Sequence, residues 1–202
     1  MPRPVALVLA SASPRRAQLL RQLGLTFEVC RSGVPEEVPP GLPAEQAVCR
    51  LARAKAEAVA AGRTGGVVLG ADTVVAVGGR ILGKPVDAAA ARGMLTLLSG
   101  RSHMVHTGIA LKEVETGRCL TASEVTRVYM RPMEPWEIAA YVDSGEPLDK
   151  AGAYAVQGLG SIFVERIEGC FFNVVGLPLF RLAGLLRAAG LEVLPTAAPT
   201  SS

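Results

Sequence analysis

Apolar and polar residues follow one another along this chain in blocks that switch between two periods. Leu7-Val8-Leu9-Ala10 is an unbroken apolar run of strand length, and it stops at Ser11-Ala12-Ser13-Pro14-Arg15-Arg16. The next segment, Ala17-Gln18-Leu19-Leu20-Arg21-Gln22-Leu23, repeats its apolar residues at helical spacing and ends at Gly24. This pattern predicts a buried strand, a turn and a helix. Ser13 is the expected N-cap, Pro14 takes the first helical position, where a missing N–H costs nothing, and Gly24 suits the left-handed position past the end. Residues 25–30 read as a second strand, which leads into the proline-rich loop Val34-Pro35-Glu36-Glu37-Val38-Pro39-Pro40-Gly41.

A long helix is predicted from Pro43 to about Ala61. Ala44, Ala47, Val48, Leu51, Ala52, Ala56 and Val59 form its stripe, and Lys55 falls inside it. Residues 66–77 form a β-branched run with Asp72 in the middle. Gly78-Gly79 then turns the chain into a hairpin with Arg80-Ile81-Leu82. A further helix starts at Asp87 and ends near Gly100. Residues 103–111 and 120–130 read as strands, 135–143 as a short amphipathic helix, and 162–167 as another strand. The last helix begins near Pro178 and runs to Gly190, and residues 195–202 read as a frayed tail. Strands alternate with helices early and cluster later. The expected fold is therefore α/β (α+β), a mixed sheet with helices against it, in one domain spanning residues 1–194.

Composition narrows the possible functions. The chain has 202 residues, half of them hydrophobic, enough for one sizeable core. Its 21 Lys and Arg against 18 Asp and Glu are too balanced and dispersed for a duplex-binding stripe. Three tyrosines and one tryptophan, not interleaved with basic residues, also disfavour single-stranded nucleic acid. No run reaches the roughly 18 apolar residues of a membrane span. The short apolar run over residues 5–12 goes straight into a charged helix, unlike a signal peptide. Cys30, Cys49, Cys119 and Cys170 are spaced too irregularly for a zinc site or a secreted disulfide framework. His103 and His106 fall on opposite faces of their strand, which argues against a shared metal. The expected setting is reducing and cytoplasmic, with a small-molecule partner and neither nucleic acid nor membrane.

The polar residues that interrupt these patterns carry the chemistry. The hydroxyls of Ser11 and Ser13, the guanidinium groups of Arg15 and Arg16 and the free N–H groups of a first helical turn converge on one spot. Such a spot suits an anion with several charged oxygens, phosphate above all. A capped helix with solvated arginines is the plain alternative, although two cations in a first turn oppose the helix dipole unless a ligand compensates. Lys55 either snorkels to water or reaches an anion at the edge of the core. Asp72 is costly in its apolar strand unless it is paired, hydrogen-bonded or bound to a cation. Either a bulge at Gly70 turns it outward, or the acid activates water or binds metal from a rigid support. Gly78-x-x-x-x-Gly83-Lys84 imitates a phosphate-binding loop. Pro85 replaces the required hydroxyl and the glycines sit in a hairpin, so that reading is excluded, and Lys84 remains as a cation near Asp72. On composition alone the acids of the 34–41 loop read as solvated. In Gln157-Gly158-Leu159-Gly160 the glycines let backbone approach a ligand, and Gln157 offers a donor and an acceptor to a ring edge. A plain turn with a polar tip fits the same residues. Arg15, Arg16, Lys55, Asp72 and Lys84 can meet in one cleft, which gives a phosphate-handling site.

At these residues the chain resembles the Maf family, also called septum-formation inhibitor proteins, which are nucleoside triphosphate pyrophosphatases. The resemblance runs through Ser11-Ala12-Ser13-Pro14-Arg15-Arg16, Glu36, Lys55, Gly70-Ala71-Asp72-Thr73, Gly83-Lys84-Pro85, Leu98-Ser99-Gly100, Glu146-Pro147-Leu148-Asp149-Lys150-Ala151-Gly152, Gln157-Gly158-Leu159-Gly160 and Val175-Gly176-Leu177-Pro178. It implies the fold shared with inosine triphosphate pyrophosphatases, an elongated mixed sheet with a cleft between two lobes. It implies cleavage between the α and β phosphates with a divalent cation, Mg²⁺ or Mn²⁺, and an often homodimeric protein. The family's catalytic acid falls on Asp72, and its specificity positions fall on Arg15, Thr73 and Gln157. Arg and Gln at those places go with a dTTP/UTP branch. From the charges, Arg15, Arg16, Lys55 and Lys84 would hold the triphosphate beside Ser11 and Ser13, and Glu36 or Asp72 would hold the metal. The alternatives are a 7-methyl-GTP or modified-pyrimidine substrate, or a non-catalytic nucleotide sensor acting in cell division.

Overall fold

The computed structural model describes residues 6–39 and 41–194. In chain order the elements are β1 (Leu7–Ala10), α1 (Pro14–Gln22), β2 (Phe27–Val29), α2 (Ala44–Ala60), β3 (Val67–Val77), β4 (Arg80–Leu82), α3 (Ala88–Leu98), β5 (Ser102–Glu113), β6 (Cys119–Met130), α4 (Pro135–Asp143), β7 (Val164–Glu168), α5 (Phe171–Val175) and α6 (Leu179–Ala188). Seven strands form one mixed sheet in the order β2-β1-β3-β5-β6-β7, with β4 attached to β3. The expected mixed α/β architecture is present.

β1 is buried along its whole length, as its unbroken apolar run requires, and lies parallel to both β2 and β3. It registers against β3 only from Val67 to Gly70, whereas β4 takes up the same edge from Val75 to Val77. Between them, residues 71–74 of β3 have no strand partner on that edge among the described residues. This gap places the site.

The long strands β3 and β5 support apolar clusters on both faces. On one face Leu9, Leu69 and Ile109 pack with Leu20 of α1 and Leu182 of α6. Further along the same face Val75 and Val105 pack with Leu95 of α3 and Tyr141 of α4. Thr73 stands between these two clusters, which are the two lobes. On the opposite face α2 lays Ala52 and Ala56 on Val8, Val68 and Ala110. Two glycines bring α2 unusually close. A Cβ on Gly70 would lie 2.0 Å from the Ala52 carbonyl oxygen, and one on Gly108 would lie 2.4 Å from the Val48 carbonyl carbon. The β3–β5 register is continuous through Gly70, so no bulge forms there and Asp72 does not turn outward.

Most predicted boundaries hold to within a few residues. Helix α1 ends as expected, with Gly24 at φ +72° and the Leu25 N–H donating to the Leu20 carbonyl at 3.2 Å. Ser13 occupies the N-cap position, but its hydroxyl accepts no capping hydrogen bond, and its own N–H donates to Ser11 Oγ at 3.2 Å. The strand expected over residues 162–167 starts only at Val164. Gly158–Phe163 is a 3-10 turn that buries Phe163 against Tyr141 and leaves Ile162 exposed. Helix α5 was not predicted, because five largely apolar residues between Gly169 and Gly176 show no helical period. His103 is buried with its Nε2 2.7 Å from the Tyr154 hydroxyl, and burial pushes its pKa down to about 4. No helix among the described residues is long and apolar enough to cross a membrane. The predicted tail, residues 195–202, lies outside the described residues.

Candidate functional site

A cleft of about 480 Å³ opens over the unpaired edge of β3, and every residue singled out from the sequence lines it: Ser11, Ser13, Arg15, Arg16, Glu36, Lys55, Asp72, Thr73, Lys84 and Gln157. Six cationic side chains (Arg15, Arg16, Arg31, Lys55, Lys84, Lys150) face three carboxylates (Glu36, Asp72, Asp149) along its walls, an excess that favours a polyanionic ligand. Strand alternation divides the cleft into two chemically different halves. Asp72 points to the α2 face, and Thr73 points to the face between the two lobes.

On the α2 face the charged groups form a chain. Lys55 Nζ donates to Asp72 Oδ1 and Glu36 Oε1, at 2.6 Å each, and Lys84 Nζ donates to Glu36 Oε2 at 2.6 Å. Asp72 and Lys55 are almost fully buried, whereas about half of the Lys84 side chain is exposed. Lys55 thus does not snorkel to water but reaches two carboxylates at the edge of the core. Glu36 corrects the solvated-loop reading. Its partial burial would raise its pKa, but the hydrogen bonds from Lys55 and Lys84 outweigh this and hold it at about 2. Burial pushes the Asp72 carboxyl above the ordinary aspartate range, although Lys55 and Arg16 act in the opposite direction.

The other face carries Arg16. Its guanidinium turns inward and donates to the carbonyl of Gly176 (2.8 Å), the carbonyl of Ala71 (2.9 Å), Ser11 Oγ (3.1 Å) and Thr73 Oγ1 (3.0 Å). Four of its five donors are therefore used within the protein, one of them on the β3 edge that β1 leaves unpaired. Burial lowers its pKa, with Asp72 and Glu36 opposing. Arg15, one residue earlier, stays at the rim, and its Nη1 lies 3.8 Å from Asp149 Oδ2 across the cleft.

Gln157 also lines the cleft, as do the apolar side chains of Val75, Val105 and Val175 and the ring of Tyr154. Its loop is fixed by Glu146, which was only part of a quoted motif. The Glu146 carboxylate accepts the N–H groups of Leu159 (2.9 Å) and Gly160 (3.0 Å) and the Tyr141 hydroxyl (2.9 Å). Gly158, at φ +71°, is also necessary here, since a Cβ would lie 2.5 Å from that carboxylate. Sequence reasoning also missed Thr107 and Asn173, buried beneath Thr73. A strand threonine and an asparagine in an apolar segment give no local signal of a site.

Among the described residues no three His, Cys, Asp or Glu side chains converge to hold a metal ion. The protein's contribution at this point is two oxygen donors, Glu36 and Asp72, linked through Lys55.

Fold and cleft together define an α/β protein with a cation-rich cleft over the open edge of its sheet. The chain belongs to the Maf family, since the family model described as Maf-like protein matches residues 6–189. It is similar to the dTTP/UTP pyrophosphatase of Syntrophomonas wolfei, 50% identical over 92% of this chain and 98% of that one. The dTTP/UTP pyrophosphatase of Moorella thermoacetica is 52% identical over 93% and 96%. That of Gloeobacter violaceus is 53% identical over 90% and 95%. Among solved structures, a HAM1 protein from Coxiella burnetii matches with a TM-score of 0.42 and 21% identity, over 63% of this chain and 73% of that one.

Proposed function

We propose that this chain hydrolyses dTTP and UTP to the nucleoside monophosphate and pyrophosphate. One observation carries the reading: a single cleft brings together a buried carboxylate among cations, several apolar side chains and two neutral polar groups, Thr73 and Gln157. The names of the relatives support the substrate class.

In this reading the triphosphate lies along the α1 N-terminus, where Arg15, Lys84 and the free N–H groups of the first turn offset its charge. Lys84 is exposed enough to exchange Glu36 for a phosphate oxygen. Asp72 takes the proton of the attacking water, and its raised pKa improves it as an acceptor. Lys55 holds Asp72 in place. Arg16 fixes the floor of the cleft, and Ser11 serves it as an acceptor. Two carboxylates without nitrogen or sulfur donors suit Mg²⁺ or Mn²⁺, which take one or two carboxylates and complete their shell with phosphate oxygens and water. Glu36 and Asp72 would hold that cation, and when bound it would neutralise charge on the phosphate oxygens.

A panel of nucleoside triphosphates with Mg²⁺ or Mn²⁺, followed by pyrophosphate release, tests the function. UTP and dTTP should lead, and 7-methyl-GTP or a modified pyrimidine nucleotide leading would move the chain to another substrate. No release from any member would leave a non-catalytic nucleotide sensor. Gln157→Ala should raise KM for UTP by roughly fivefold, the value of one hydrogen bond of about 1 kcal/mol, and relax base choice. An unchanged nucleotide profile would clear Gln157 of the role. Since the deprotonated Asp72 is the active form, kcat/KM should fall as the pH drops, with an acid limb above the roughly 3.9 of a free aspartate. Lys55→Met removes a charge that favours the carboxylate, so the limb should move to still higher pH. A limb that stays in place would separate it from Asp72.

A further inference from the structure

We infer that Thr107 and the main chain at Asn173 set the hydrogen-bond polarity of Thr73, so that the cleft presents a lone pair, and no proton, to the base. The inference rests on the pyrimidine nucleotide reading above and names how that site tells uracil and thymine from cytosine.

The proton count follows from three distances. Arg16 Nη2 lies 3.0 Å from Thr73 Oγ1, and a guanidinium only donates, so it takes one Thr73 lone pair. Thr107 Oγ1 lies 3.0 Å from the Asn173 carbonyl oxygen, which only accepts, so the single Thr107 proton goes there. Thr73 Oγ1 and Thr107 Oγ1 are 2.9 Å apart. With the Thr107 proton already used, that contact needs the Thr73 proton. One lone pair is then left to Thr73 on the cleft side.

The arrangement is rigid. Thr107 and Asn173 are fully buried, so no water competes for their bonds. Asn173 is anchored by its side-chain amide, which donates to the Val105 carbonyl at 3.0 Å and to Thr126 Oγ1 at 2.9 Å. Thr73 and Thr107 face each other across β3 and β5, so the strand register holds the pair together.

The consequence is a chemical filter. Uracil and thymine carry a ring N3–H, a donor that an acceptor-only hydroxyl can pair with. Cytosine carries a bare N3 lone pair, which the Thr73 lone pair repels. UTP and CTP have the same phosphates, sugar and ring size and differ only along this edge, at N3 and at the group on C4, so the change that Thr107→Val makes in their ratio reports the polarity of Thr73. Sites that bond a substrate hydrogen reject the analogue lacking it far more strongly than apolar pockets separate sizes.

The test compares kcat/KM for UTP and CTP in the wild type, Thr107→Val and Thr107→Ser, with the melting temperature of each. The wild type should prefer UTP. Thr107→Val keeps the volume but removes the acceptor, which frees the Thr73 proton for the cleft, so the UTP-to-CTP ratio should fall by about tenfold or more. Thr107→Ser keeps the hydroxyl and should keep the ratio. If valine does not fold, Thr107→Cys, whose thiol accepts weakly, should shift the ratio the same way. A ratio unchanged in Thr107→Val, or in its cysteine substitute, overturns the inference alone, even if both rates drop together. A wild type with no preference for UTP over CTP overturns the inference and the substrate reading together.

Discussion

Asp72→Asn should lower kcat by about 10³-fold, within the range expected for losing a positioned general base, while nucleotide binding changes little. Asparagine has nearly the same shape and can still accept the Lys55 hydrogen bond at the Oδ1 position, so the local packing survives. What it loses is the ability to take a proton, the charge that balances Lys55 and one of the two carboxylates proposed for the cation, so the comparison is made at saturating Mg²⁺. The cations at the mouth, Arg15 and Lys84, are untouched, so the phosphate contacts proposed for them should persist. Single-turnover rates measured beside nucleotide titrations would separate the two effects. A variant with full turnover would remove Asp72 from the mechanism, and one that no longer bound nucleotide would make it chiefly a binding residue.

The largest stability effect is expected at Arg16. Its guanidinium satisfies two carbonyls and two hydroxyls from β3, the turn after β1 and the turn after α5. Arg16→Ala strands those acceptors in a buried place, and a cost of about 4 kcal/mol follows from the usual penalty of such losses. For a chain of this size that is a fall in melting temperature of about 8–16 °C. Arg16→Lys should recover only part, since an ammonium cannot reach acceptors on three segments at once. A melting temperature within about 2 °C of the wild type would show that Arg16 is not the anchor described and would return it to the group of phosphate ligands.

The contrast between neighbouring arginines shows what was legible in the sequence. The turn from β1 into α1 was readable because proline, serine and glycine fix backbone geometry locally, and Gly24 ends the helix as expected. Asp72 and Lys55 were readable because a charge inside an apolar period costs free energy and so demands a partner. Which partner was not readable. The Lys55 contacts come from residues 17 and 19 positions away, and the contact of Arg16 with Gly176 spans 160. The gap in the β3 edge, which puts Asp72 and Thr73 on opposite sides of one opening, depends on where β1 ends and β4 begins. No local pattern encodes that register. Glu36 looked solvated for the same reason, and Glu146 looked like one loop acid among several until its carboxylate was seen to gather the loop behind Gln157.

The central claim is that water guided by Asp72 attacks the α-phosphorus of a pyrimidine nucleoside triphosphate. Hydrolysis of UTP in ¹⁸O-labelled water, with both products analysed by mass, tests it most directly. The account predicts UMP carrying the label and unlabelled pyrophosphate. Labelled pyrophosphate, or UDP with orthophosphate, would contradict it.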